Sequence, residues 1–165
     1  MTSIKQEIRE ITGGKLDKSV EIVRAAFGTV AKEMGYTEAL VPVFPAFITV
    51  EKLKAIKDRG AVFFGLFIGT RQVGFVAAEK EKTGNYYIEK LAVLPEFRHL
   101  GLGRKLVNHV IAYAKSKGYR KLNLTMADEN QVLKKWYLDI GFKETSVRKF
   151  DHLPFPVSFM ELDIT

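Results

Sequence analysis

Apolar side chains recur at two different spacings along this chain, and each change of spacing marks the border of an element. Leu16, Val20, Val23, Phe27, Val30 and Met34 fall three or four residues apart, the period of a helix buried along one face, and Gly35 follows as a stop. Ahead of them, Ile4, Ile8 and Ile11 occupy a short segment read as a strand despite weak alternation, closed by Gly13 and Gly14. Pro42 and Pro45 break the stretch from Tyr36 to Ile48, which reads as a loop; a second helix is expected from Thr49, as its cap, to Asp58, with Arg59 and Gly60 as its exit. Ala61–Ile68, Gln72–Glu81 and Tyr86–Leu94 read as strands joined by turns at Gly69-Thr70 and Thr83-Gly84-Asn85, an antiparallel meander.

Beyond Pro95 the order changes. Leu106, Val107, Val110, Ile111 and Ala114 form one face of a helix that stops at Gly118, and Leu122, Leu124 and Met126 then alternate as a strand. A strand, a helix and a strand in succession make a crossover unit, which pairs its strands in parallel. A further helix is expected between Glu129 and Ile140, with Gly141 after it, followed by two strand-like segments, Phe142–Phe150 and Val157–Ile164. The pattern predicts an α/β (α+β) fold: a mixed, mostly antiparallel sheet flanked by helices, in a single domain over residues 1–165, with no repeat or linker inside it.

Composition removes several chemistries. The 165 residues include no cysteine, which excludes disulfides, thiolate zinc sites, iron–sulfur clusters and cysteine nucleophiles and suits a reducing cytoplasm. The polar N-terminal run M-T-S-I-K-Q-E-I-R-E does not read as a secretion signal, and the apolar runs Ala61–Gly69 and Ala39–Val50 fall short of the roughly 18 residues of a spanning helix. The net charge of +7 suits nucleic acid, a membrane surface or a phosphorylated ligand, and equally a solvated basic surface, because the cations are spread along the chain with only modest clusters at Lys115–Lys121 and Lys143–Lys149.

One turn concentrates chemistry. Gly101 and Gly103 lie between a strand and the start of an amphipathic helix, where the first amides have no intrahelical partner and the helix dipole favours an anion. Arg98, Arg104 and Lys105 stand alongside, so a pyrophosphate would suit the turn, although a bare G-x-G also serves simply to turn the chain. Leu106 stands where a dinucleotide fingerprint needs a small residue, and no Walker pattern is present.

The segment from Tyr87 to Leu106 resembles motif A of the GNAT superfamily of N-acetyltransferases, whose acetyl-CoA loop reads Arg/Gln-x-x-Gly-x-Gly/Ala; Arg98, Gly101 and Gly103 meet it here. The lead L-A-V-L-P-E-F-R is similar to that family's, and Asp128–Phe142, with Asn130, Tyr137 and Gly141-Phe142, resembles its motif B. The resemblance covers residues 86–142 by motif, and the order of elements on either side agrees with it. It implies that the fourth strand and the strand after the crossover helix splay apart to form a CoA cleft. The pantetheine arm would then bond to backbone at Leu91, Ala92 and Val93, and the diphosphate would rest on amides of His99, Leu100, Gly101, Leu102, Gly103 and Arg104, with Arg98 and Lys105 beside it.

Acetyl transfer to an amine needs that amine neutral, and alkylammonium has a pKa of about 10. Glu89 is the candidate base: it lies on the strand approaching the cofactor and by alternation shares the face of Tyr87, Leu91 and Val93. A salt-bridged strand glutamate is the competing reading, and Glu79 on the neighbouring strand is the reserve base. Tyr137 matches the family tyrosine that donates a proton to the departing CoA sulfur, against a plain interior aromatic beside Trp136. Asn130, two turns earlier on the same helix face, matches an asparagine that touches the cofactor arm, and an amide near Val93 would polarise the thioester carbonyl.

His99, His109 and His152 show no metal-ligand spacing, so no metal is expected; His99 is assigned to the phosphate loop and His109 to a helix surface. No G-x-S-x-G is present. Phe44 and Phe47 read first as core aromatics, but the resemblance places them in a loop that often shapes the acceptor pocket, with the run His152–Pro156 as a second candidate wall. The reading is a cytoplasmic N-acetyltransferase that moves acetyl from acetyl-CoA directly to a primary amine of a small molecule, peptide or protein. Its rival is a non-catalytic CoA-binding or basic nucleic-acid-binding module on the same fold, and the nucleic-acid version lacks a helix-turn-helix or aromatic RNA motif. Members of the family often form dimers, which adds a homodimer to the expected partners.

Overall fold

The computed structural model describes residues 4–165; Met1, Thr2 and Ser3, which begin the polar N-terminal run, lie outside them. Seven strands, β1 (Gln6–Glu10), β2 (Val62–Ile68), β3 (Arg71–Lys80), β4 (Tyr86–Val93), β5 (Lys121–Ala127), β6 (Lys143–Arg148) and β7 (Val157–Asp163), form one sheet in the order β1-β2-β3-β4-β5-β7-β6. Every neighbouring pair is antiparallel except β4 and β5, joined by the crossover helix α3 (Leu102–Ser116). Helices α1 (Asp17–Met34), α2 (Val50–Asp58) and α4 (Gln131–Ile140) complete the expected mixed fold.

Local chemistry accounts for the borders. Gly35 ends α1 in the left-handed region (φ 75°), which lets its N–H turn back to the Ala31 carbonyl. The Thr49 hydroxyl caps α2 by accepting from the Lys52 N–H at 3.2 Å. The first strand is shorter than Ile4–Ile11: Ile4 is exposed outside it, and within β1 only Ile8, opposite Leu66, turns toward the core. An edge strand with one inward side chain has little alternation to show.

Antiparallel register sorts the sheet into two faces. Gly74, Val76, Ala78 and Ile88 point toward α3, and a Cβ on Gly74 would come within 3.0 Å of Leu106 Cδ1, so glycine is what lets the helix seat this closely. Phe75 and Ala77 point the other way, beneath α1 and α2, where Phe75 packs edge-on against Phe63 with ring centres 5.1 Å apart. Ile22, Val23, Val76, Leu106, Val107 and Val110 are wholly buried between these layers, each stabilising the fold by about 1.5–3 kcal/mol. A second apolar cluster of Ala31, Tyr36, Val41, Ala46, Phe155 and Val157 ties the segment after α1 to the one between β6 and β7.

Candidate active site

The sheet is incomplete at its centre. β4 and β5 pair only at Tyr86 with Leu122 and Tyr87 with Asn123; the hydroxyls of Tyr87 and Thr125, 2.7 Å apart, close the end of the paired stretch. From Ile88 to Val93, β4 pairs with β3 alone, so its backbone donors and acceptors on the β5 side lack strand partners. Leu91, Ala92 and Val93 lie on this open length.

β4 runs through a 3-10 turn at Pro95–Phe97 into the glycine loop. His99 (φ 64°) and Gly101 (φ 78°) both take left-handed backbone there. Gly101 caps α3, and its carbonyl accepts from the Lys105 N–H at 3.1 Å, so Lys105 is the first intrahelical donor and the amides of Leu102, Gly103 and Arg104 precede the ladder. Gly103 brings α3 close to α4, since a Cβ there would stand 3.4 Å from the Trp136 ring. The cations beside the loop divide their work. Arg98 turns to α1, where its guanidinium donates to the Ala26 carbonyl at 2.8 Å and to the Thr29 hydroxyl at 2.9 Å; Lys105 bonds Gln6 on β1; Arg104 and Leu100 are exposed.

Strict alternation fails along β4. Ala77 faces Glu89 but Phe75 faces Ala92, three steps against two, and the extra residue is taken up at Lys90 with φ 56°. Such a bulge reverses the side-chain parity beyond it. Glu89 therefore shares a face with Tyr87, as expected, but not with Leu91 and Val93; Val93 stands opposite Gly74 on the α3 face. No hydrophobic periodicity announces a bulge carried by a lysine.

The bulge leaves Glu89 on the α2 side beside a second carboxylate. Arg59 chelates Glu79, with Nε to Oε2 at 2.9 Å and Nη2 to Oε1 at 2.6 Å, and reaches Glu89 at 3.4 Å; Lys90 Nζ lies 3.6 Å from Glu89. Burial pushes the Glu89 carboxyl above the usual glutamate value; Lys90 and Arg59 pull it back, and Glu79 adds to the rise. Glu79, engaged by both arms of the guanidinium, is the less available of the two.

The Tyr137 ring lies between Trp136 and Phe142, with centres 5.0 and 5.5 Å away. Burial, with the nearby Tyr87 phenol, holds its hydroxyl well above the ordinary tyrosine value, so it stays protonated. Tyr87 is itself pushed up to about 12, chiefly by burial.

Residues 29–142 match the model of the acetyltransferase (GNAT) family. The chain belongs to that family. An uncharacterized N-acetyltransferase of Methanocaldococcus jannaschii is 36% identical over 93 residues, 53% of this chain and 41% of that relative, so the match spans less than half of the relative's length. Two solved structures share the fold: the ribosomal-protein-S18-alanine N-acetyltransferase of Escherichia coli (19% identity, TM-score 0.77, 98% of this chain and 95% of that one) and the PaiA N-acetyltransferase of Thermoplasma acidophilum in complex with coenzyme A (21%, 0.80, 97% and 99%).

Several GNAT positions sit differently from the sequence reading. Asn130 lies at the very start of α4 as its cap, its side-chain oxygen accepting from the Leu133 N–H at 3.2 Å, so that oxygen is already engaged within the helix. His109 is half-buried, edge-on to Phe64 at 4.5 Å, and burial lowers its pKa; it is not a surface residue. Phe44 and Phe155 both pack on Tyr36, closing an aromatic cluster instead of lining an open pocket.

The sequence reading missed Arg59, Lys90, Thr125, Tyr36 and Lys134. Tyr36 donates to Glu129, and Lys134 joins Asp128 to Glu144 at 2.6 Å; both fasten the α4 end of the site. Arg59, Thr125 and Tyr36 meet their polar partners only across the fold, which leaves no mark in local spacing. Among the described residues no three His, Asp or Glu side chains gather as a metal site, and no helix is long and apolar enough to cross a membrane.

Proposed function

We propose that this GNAT domain transfers acetyl from acetyl-CoA directly to a primary amine, in a reducing compartment such as the cytoplasm. The observation that carries this reading is the opening between β4 and β5, with a row of unpartnered strand backbone on one wall and three free helix amides at its mouth. Those groups fit an amide-bearing arm ending in a diphosphate: Leu91, Ala92 and Val93 for the arm, the amides of Leu102, Gly103 and Arg104 for the anion. Acetyl-CoA, when bound, supplies the activated acyl group. Arg98 serves here by pinning the loop to α1.

Glu89 accepts the proton of the incoming ammonium. Its raised pKa narrows the gap to the amine, and Arg59 and Lys90 stabilise the carboxylate. Tyr137 hydrogen-bonds the departing sulfur and returns a proton to it; its hydroxyl has no hydrogen bond within the protein among the described residues, which leaves it free for that partner. No cysteine is present to carry the acetyl group, which agrees with the direct transfer that the family resemblance implies.

Calorimetric titration with acetyl-CoA, CoA and ATP tests the reading. Binding of the first two but not ATP, followed by thiol release with an amine, is the expected result. Absence of binding would reduce the loop to a turn.

A further inference from the structure

α1 and α2 cover β2–β4, whereas the same face of β5, β7 and β6 carries a groove of about 240 Å³ beside Tyr87 and Thr125. Its floor is Asn123, Thr125 and Phe159, and its charged lining residues are Glu81, Glu161 and Arg148. The two carboxylates are already engaged: Glu161 pairs with Lys121 at 3.0 Å, and Glu81 accepts hydrogen bonds from the Thr83 hydroxyl at 3.1 Å and from the Asn123 amide at 3.3 Å. Arg148 has no carboxylate within ion-pair distance among the described residues; its guanidinium lies over the Phe159 ring, 5.0 Å from the centre. One more polar atom is unmatched, the buried Asn123 Oδ1, which has no hydrogen-bond donor.

We propose that the groove holds an acceptor bearing a carboxylate close to its amine, an amino acid, with Arg148 as the residue that reads the carboxylate. This rests on the acetyltransferase reading. A planar guanidinium fixed on a ring, with its donors free, suits bidentate pairing with a carboxylate.

Register gives the scale. Phe159 on β7 stands opposite Thr125 on β5, and the β4–β5 opening starts one strand further on. At about 4.8 Å per strand the centre of the opening lies roughly 7 Å from the β7 line. A carboxylate bound at Arg148 takes up about half of that, leaving the span of one or two carbons to the amine. Glu89, on the same face, then meets the ammonium.

The test compares matched acceptors on the intact protein by thiol release: free amino acids, their amides, and the amines lacking the carboxyl group. Free amino acids should be acetylated with the lowest KM. Arg148→Met should raise that KM about ten- to a hundred-fold at nearly unchanged kcat, leave amides and amines unaffected, and be partly rescued by Arg148→Lys. Arg148 is exposed on an edge strand, so the variants should keep the wild-type Tm.

Equal use of amides and amines, or an Arg148→Met effect common to all acceptors, would overturn the proposal. So would binding of acetyl-CoA without acetylation of any free amino acid, an outcome that leaves the transferase reading intact. Failure to bind acetyl-CoA would overturn both.

Discussion

The hydroxyls of Tyr87 and Thr125 meet at 2.7 Å at the end of the paired stretch between β4 and β5, so the opening in the sheet begins from a hydrogen-bonded floor. Burial, with a smaller contribution from the Tyr87 phenol, raises the pKa of Tyr137 on α4, while Glu89 shares a face of β4 with Tyr87. A reacting group in the opening would have a phenol on one side and a carboxylate on the other.

Replacing Tyr137 by Phe removes the one proton donor assigned to the departing sulfur. We expect kcat to fall about 10²-fold with acetyl-CoA affinity changed less than about two-fold, since the ring contacts with Trp136 and Phe142 remain. Steady-state kinetics beside calorimetry check this; an unchanged kcat would remove Tyr137 from the mechanism.

Glu89 should set the acidic limb of the rate profile. Because its pKa lies above the usual glutamate value, kcat/KM should rise with a midpoint above 4.5, and Glu89→Gln should abolish that limb. Arg59→Ala should move the limb to higher pH, because Arg59 lowers the Glu89 pKa.

The same shift has a consequence for stability. A carboxyl raised in the folded state contributes fully below its unfolded pKa and loses that contribution as pH rises through the folded value. Urea midpoints of Glu89→Gln should therefore equal those of the wild type at low pH and gain on them above the ordinary glutamate range. A widening deficit with rising pH would contradict the burial argument.

Gly101→Glu introduces strain and charge together. The left-handed φ of 78° disfavours any side chain by about 1 kcal/mol, and a carboxylate beside the free amides competes with phosphate. CoA binding should become undetectable by calorimetry with only a modest drop in Tm, whereas Gly101→Ala should retain weakened binding.

Lys134→Met should loosen α4. It leaves Asp128 and Glu144 without their shared cation, at a cost of about 1–3 kcal/mol readable by urea unfolding. Glu144 is held below its usual pKa by its hydrogen bonds to Lys134 and Ser158, so the network acts above the ordinary glutamate value and is lost as pH falls through the depressed one. The gap between variant and wild type should shrink in acid.

Much of this protein was legible in its sequence because its elements obey local rules. The 3.6-residue recurrence from Leu16 to Met34 and the glycines at 35 and 141 follow from backbone sterics and one-sided burial, and they locate the helices almost to the residue. The glycine turn before α3 was legible for the same reason: free amides and a helix dipole are consequences of a chain position.

Tertiary structure alone decided which residues meet. The β4 bulge at Lys90 depends on pairing with β3, so the face that Glu89 shares with Arg59 and Glu79 could not be read from alternation. The same holds for Arg98 against α1, Lys134 between Asp128 and Glu144, and Arg148 above Phe159. Local conformation is governed by neighbours a few residues away and leaves a periodic trace in sequence. Electrostatic partnership is governed by proximity in space, and chain spacing carries no record of it.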